Sequence, residues 1–281
     1  MALKLMYITN KENVAKIAED SGVDWIFIDL EVNGKEERQG HLDTVISRHH
    51  IEDVKRIKNV LSKAELLVRV NPIYEDSKYE IDKVIDDGAD IVMLPFFKTK
   101  SEVETFINYV DGRAKICLLC ETAEAVENID EILELKGIDL IHIGLNDLHL
   151  AYNMKFMFEL LADGTVEMLC NKFKAKGIQF GFGGIAQLGQ GDLPAEYIIG
   201  EHYRLGSGMA ILSRSFCNVN KLDNINIVKD VFAKGVKEIR NYEHKLELKD
   251  ISFFEHNCVI VKNKVMEIES NMESAITREV V

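Results

Sequence analysis

The sequence predicts a (β/α)8 TIM barrel with a C-terminal helical or extended arm, and three observations carry that reading. Short β-branched and apolar runs recur eight times, most of them starting about 22–26 residues apart. The runs are continuous rather than alternating, as expected of parallel strands covered on both faces. The intervals between them carry helix-like patterns with start and stop signals, and such a strand–helix alternation at near-constant period is the signature of the barrel.

The eight runs are LKLMYI (3–8), WIFIDL (25–30), LLVRV (66–70), IVMLPF (91–96), KICLLC (115–120), LIHIG (140–144), QFGFGG (179–184) and YRLGS (203–207). Asn10 precedes a helical stretch that stops at Gly22, and Ser101 with Glu104 forms a capping-box pattern. The stretch from Asn128 to Leu135 runs to a stop at Gly137, and the next helix stops at Gly177. A further helix is expected from Ile225 to Leu246, followed by a tail outside the repeat. The expected division is a catalytic barrel over 1–222 and a helix and arm over 223–281, the arm packing on the barrel or on a neighbouring subunit.

Composition narrows the function. With 34 Lys plus Arg against 47 Asp plus Glu, the net charge of −13 opposes nucleic acid and anionic membranes. No apolar run approaches the ~20 residues of a spanning helix, and the first ten residues turn polar too early for a secretory signal. Five cysteines in a chain of 281 residues read as reduced thiols, and a cytoplasmic location follows. Cys117 and Cys120 form a CxxC, but three residues apart on a strand they point to opposite faces and cannot chelate together.

Barrel active sites lie at the C-terminal ends of the strands. There the sequence places Asp29 and Glu31, Arg69 with Asn71, Glu121 with Thr122, and Gly144, Asn146 and Asp147. Glu121 and Asp147 end adjacent strands, within reach of one Mg²⁺ or Mn²⁺ that keeps positions for water and substrate. Alternatively Glu121 opens a helix and Asp147 caps one. Arg69, costly inside an apolar strand without an anion, suits a substrate carboxylate or an internal salt bridge to Asp29 or Glu31.

The segments DLE (29–31), RVNP (69–72), LLCETAEAVENIDEIL (118–133) and IGLNDL (143–148) resemble the HpcH/HpaI aldolase and citrate lyase β-subunit family over about residues 20 to 215. The resemblance implies a metal-dependent carbon–carbon lyase of (β/α)8 fold acting on a 2-oxo acid. It implies that Glu121 and Asp147 bind the metal, that Arg69 holds a pyruvate-like acid, and that the protein is a homo-oligomer. Gly144, Asn146 and Asp147 form the rest of the expected substrate contact.

The aldolase branch carries a histidine for proton transfer directly after the glutamate of the second strand, where this chain has Val32. His49, with His41 second, is the candidate carrier in the loop that follows. His142, inside a strand, reads as a satisfied core residue. Gly183, Gly184, Gly206 and Ser207 could cradle a phosphate, which keeps a CoA-linked or phosphorylated substrate open. A non-catalytic oxo-acid-binding barrel is the third possibility.

Overall fold

The structure is a computed structural model that describes residues 2–33, 49–219, 221, 222 and 224–279. Strands β1 (Lys4–Ile8), β2 (Trp25–Asp29), β3 (Glu65–Arg69), β4 (Ile91–Leu94), β5 (Lys115–Cys120), β6 (Leu140–Ile143), β7 (Gln179–Ile185) and β8 (Met209–Leu212) close into a barrel in chain order. Every pairing is parallel, so all strands deliver their C-terminal ends to one rim.

Alternation along each strand splits the apolar residues into two layers. Met6, Trp25, Phe27, Leu67, Ile91, Met93, Cys117, Leu119, Leu140 and Met209 fill the lumen, which is therefore a packed floor rather than a pore. Ile116, Leu118, Cys120 and their equivalents face the helices. The two cysteines of the CxxC thus lie on opposite sides of the barrel wall, and all five thiols are unbridged.

The surrounding helices are α1 (Glu12–Asp20), α2 (Glu52–Val60), α3 (Ser77–Asp86), α4 (Lys100–Val110), α5 (Ala123–Glu127), α6 (Ile129–Ile132), α7 (Leu145–Ala151), α8 (Glu159–Ala162), α9 (Thr165–Ala175), α10 (Ala195–Leu205), α11 (Ile225–Leu246) and α12 (Ile251–Glu279). Several boundaries differ from expectation for local reasons. The capping box of α4 is Thr99 with Glu102, not Ser101 with Glu104: Thr99 is extended and accepts from the Glu102 N–H, while Ser101 already lies inside the first turn. Asn10 does not cap α1; its amide donates to Asp53 at 2.8 Å and ties α1 to α2. The 128–135 stretch breaks at Asn128, whose side chain donates to the Lys98 carbonyl.

The eighth strand is the largest displacement. YRLGS is not a strand: Tyr203–Leu205 ends α10, and Gly206, at φ +69°, is its left-handed cap. The true strand, MAIL, begins two residues beyond Ser207.

The expected helix from Ile225 to Leu246 is present as α11. It is locked to the first strand by Arg240, which donates to the Leu3 carbonyl at 2.7 Å, and by Glu243, which accepts from the Leu3 N–H at 2.6 Å. The arm, α12, is helical and lies across α10 and α8. Asn257 is buried there and donates to the Tyr197 carbonyl and to Glu201 at 3.0 and 2.9 Å. A Cβ on Gly200 would stand 2.7 Å from Asn257, so only glycine allows this close approach. Among the described residues no helix is long and apolar enough to cross a membrane.

One buried acid makes the barrel wall pH-sensitive. Glu19, at the end of α1, accepts the backbone N–H groups of Ser62, Lys63 and Ala64 and pairs with Lys16. Burial raises its pKa, but Lys16 and those N–H donors outweigh burial and bring it from 4.5 down to about 2. A depressed carboxyl contributes stability above its unfolded pKa and loses it as pH falls toward the folded value. At ~1.4 kcal/mol per unit, the contribution is at most about 3 kcal/mol. Denaturant titration should find Glu19→Gln less stable than the parent at pH 7, with the gap shrinking between pH 4.5 and 2.

Candidate active site

At the C-terminal rim of the barrel is a cavity of about 320 Å³ whose wall includes Asp29, Arg69, Glu121, Gly144, Asn146 and Asp147. The structure therefore brings together the metal and substrate candidates that the sequence placed at separate strand ends. That volume suits a small acid.

Arg69 is fixed first by register, because β2 and β3 pair Asp29 with Arg69 directly. Its Nε and Nη2 donate to the two Asp29 oxygens at 2.8 Å each, and Nη1 stands 3.3 Å from Glu31 Oε2. Both readings of Arg69 thus meet in one place, since the internal pairing exists and the guanidinium also lines the cavity. Burial alone would lower its pKa, but Asp29, Glu31 and Glu121 overrule burial and hold the cation permanently charged.

The loop after β2 is clamped from the neighbouring strand. Asn71 accepts from the N–H groups of Val32 and Asn33 at 2.9 and 3.0 Å. Its own amide donates to the buried Glu80 at 2.8 Å. Glu80 thereby holds the residue that holds the loop carrying Glu31.

Glu121 ends β5, just before Thr122, which caps α5 by accepting the Ala125 N–H at 3.0 Å. Capping thus falls to Thr122, and Glu121 turns into the cavity with Oε1 accepting the Phe96 N–H at 3.1 Å. Asp147 is in the first turn of α7; it is not the cap, a position held by Gly144. A Cβ on Gly144 would lie 2.7 Å from both Cβ and Oε2 of Glu121, so this glycine is a cradle cut to the carboxylate.

Among the described residues no group of three or more His, Cys, Asp or Glu converges as a complete metal cage. Two carboxylates at an open cavity, one seated against glycine, nevertheless fit an ion such as Mg²⁺ that retains water and substrate ligands. Gly144→Ala should displace Glu121. We expect Mg²⁺ or Mn²⁺ affinity to fall about 10-fold or more, as for lost support of a metal ligand. Isothermal titration calorimetry measures it, and unchanged affinity would remove Gly144 from this role.

The histidines redistribute. His49 accepts the Asp29 N–H on Nδ1 at 3.0 Å, beside the site but outside the cavity wall. Its proton is accordingly on Nε2. His41 lies outside the described residues. His142, expected as a satisfied core residue, instead lines the cavity. Its Nε2 is 3.2 Å from the Gly183 carbonyl, while its Nδ1 has no hydrogen-bond partner among the described residues. Burial, and secondarily Arg69, pushes its pKa down to about 4.

The expected phosphate cradle divides. Gly183 and Gly184 line the cavity, but Gly206 and Ser207 precede β8 and sit at the opposite end of the barrel, where Ser207 bonds His202 at 2.7 Å. The misplacement follows from the misplaced eighth strand. Sequence reasoning also missed Tyr7, Ser213 and Arg214 in the wall. The Met209–Leu212 strand, had it been recognised, would have placed Ser213 and Arg214 directly at the rim.

A closed parallel barrel with acids and a buried arginine at its strand ends defines an enzyme of the barrel class, by the rule that such sites occupy this rim. The sequence profile of the HpcH/HpaI aldolase/citrate lyase family matches residues 4–166, and the chain belongs to that family. By family it is an aldolase/lyase enzyme. The 2-keto-3-deoxy-L-rhamnonate aldolase of Salmonella paratyphi B is 29% identical over 166 residues, 48% of this chain and 56% of the relative. The chain spans about half the length of the curated relatives it matches.

Solved structures agree on the fold. The HpcH/HpaI aldolase of Desulfitobacterium hafniense DCB-2 superposes with a TM-score of 0.59 at 16% identity, covering 85% of this chain and 93% of that one. A HpcH/HpaI aldolase/citrate lyase family protein from Burkholderia cenocepacia J2315 gives 0.59 at 15% identity, covering 85% and 95%.

Proposed function

We propose that the protein is a divalent-metal-dependent carbon–carbon lyase or aldolase acting on a small 2-oxo acid of the pyruvate type. The observation that carries this reading is the surplus of acids at the cavity. Asp29 and Glu31 already face Arg69, and Glu121 and Asp147 add two more carboxylates to the same wall. Buried carboxylates in such surplus stabilise a cation.

Glu121 and Asp147 would hold Mg²⁺ or Mn²⁺. Bound there, the ion supplies a Lewis acid that polarises the keto oxygen. Arg69, immobilised by Asp29, offers the substrate carboxylate a charge whose geometry is set before binding. Gly144 and Asn146 complete the substrate wall. His49, with its proton on Nε2, is assigned proton handling, and His41 stands second in that role. Excluding water falls to the lumen floor, where Phe27 packs under the Arg69 guanidinium at 5.7 Å.

A CoA-linked or phosphorylated substrate draws less support, because half of the expected phosphate-binding set is at the wrong end of the barrel. The proposal extends to a cytoplasmic homo-oligomer. The outer face of α12 is its contact surface, with Val259 and Met266 exposed by 53% and 62%.

The decisive experiment follows the methyl protons of pyruvate by NMR in D₂O with Mg²⁺ present. Exchange catalysed by the protein is expected. Binding of pyruvate without exchange would instead make it a non-catalytic oxo-acid-binding barrel.

A further inference from the structure

The cavity wall has two chemically different sides. Asp29, Arg69 and Glu121 make the side formed by β2, β3 and β5 ionic. Within the strands and turns of β6, β7 and β8, the inner wall is neutral, made by His142, Gly183, Gly184 and Ser213.

Two polar atoms on this neutral side are shielded from solvent and have no hydrogen-bond partner among the described residues: His142 Nδ1 and Ser213 Oγ. For His142 the assignment is unambiguous. Its Nε2 faces a carbonyl oxygen, which accepts only, so the proton is on Nε2 and Nδ1 presents a lone pair. The ring is 1% exposed, so water does not reach it from outside the cavity. Native structures rarely leave a buried acceptor unsatisfied, and an exception in a cavity wall calls for a donor from a ligand.

The strand between the two residues reinforces the point. β7 separates β6 from β8 and contributes to this part of the wall only the glycines 183 and 184. A Cβ on Gly183 would stand 2.7 Å from Leu145, and one on Gly184 would touch the Ser213 Cβ at 3.4 Å. No side chain from β7 can therefore reach across to satisfy either atom.

We infer that the neutral side is the subsite for the hydroxyl-bearing half of the substrate, His142 Nδ1 accepting from one hydroxyl and Ser213 Oγ bonding another. The substrate class is then a 2-oxo acid hydroxylated beyond the oxo carbon, built from a hydroxylated aldehyde rather than an aliphatic one. The inference rests on the oxo-acid reading above and adds two specificity-determining residues to it. A site built to bond a hydroxyl discriminates against an analogue lacking it, because its own buried groups are then left unpaired. The imidazole stays neutral, and hence an acceptor, at any pH well above 4.

The test compares glyceraldehyde with propanal as the partner of pyruvate in the full chain with Mg²⁺. We expect kcat/KM to favour glyceraldehyde by about 10-fold or more, one hydrogen bond being worth on the order of a decade. His142→Phe should bring that ratio close to one, Ser213→Ala should lower it several-fold, and His142→Gln, which keeps an acceptor, should recover part of it. Independently of turnover, the ¹⁵N resonance of His142 Nδ1 should move when glyceraldehyde joins the oxalate-loaded enzyme and stay still with propanal. Equal use of the two aldehydes, or a preference untouched by both substitutions, overturns the inference alone. Absence of reaction with either aldehyde together with no pyruvate methyl exchange overturns the oxo-acid reading and the inference with it.

Discussion

Arg69→Ala should abolish binding of pyruvate and oxalate and destabilise the fold by about 3–5 kcal/mol. The two effects share one origin. Arg69 sits between Asp29, at 2.8 Å, and Glu31, at 3.3 Å, with both acids only 2% exposed. Removing the cation leaves two carboxylates in a poorly solvated wall, which costs more than the lost pairing itself. Chemical denaturation reads the stability change, and calorimetry with oxalate reads the binding. Arg69→Lys separates the two: it keeps a charge for Asp29 but loses the fork, so stability should recover further than binding. Normal oxo-acid affinity in the alanine variant would remove Arg69 from the substrate site.

Glu121→Gln should lower turnover by several kcal/mol in the barrier, on the order of 10³-fold, as expected for loss of a Lewis acid. The change is nearly isosteric. The Gln oxygen can still accept the Phe96 N–H, so the rim around β4 and β5 should hold its shape. Melting temperature without metal should therefore stay close to that of the parent, while the rise on adding Mg²⁺ or Mn²⁺ should vanish. A fall in stability with metal binding intact would assign Glu121 a structural role only.

Much of the fold was legible because the barrel writes itself as a repeat. Strands β1 to β7 lie on the apolar runs, since a strand buried on both faces has to be continuously apolar. The failure at β8 has a physical cause: YRLGS ends an amphipathic helix whose inward residues, Ile198, Ile199, His202 and Leu205, give it an apolar appearance. Reading Gly206 as a helix stop would have moved the strand to MAIL and removed Gly206 and Ser207 from the rim.

Site legibility followed topology. Glu121, Asp147 and Arg69 were found because strand ends are the only places a barrel puts its chemistry, and all three line one cavity. His142 was misjudged because sequence does not show whether a strand residue faces the lumen near the rim or deeper in the packed floor. Its neighbour Leu140 belongs to the floor; two residues on, the lumen has opened into the cavity. Asn71 was visible as a strand-end residue, but its link from Glu80 to the Val32 and Asn33 amides depends on contacts nine and about forty residues apart.

The most direct test of the metal-dependent reading is a Mn²⁺ titration of the full chain, with and without oxalate, followed by calorimetry. One ion per chain is expected, bound more tightly when oxalate is present and lost in Glu121→Gln. No saturable Mn²⁺ binding in the parent, or binding indifferent both to oxalate and to the substitution, would contradict it.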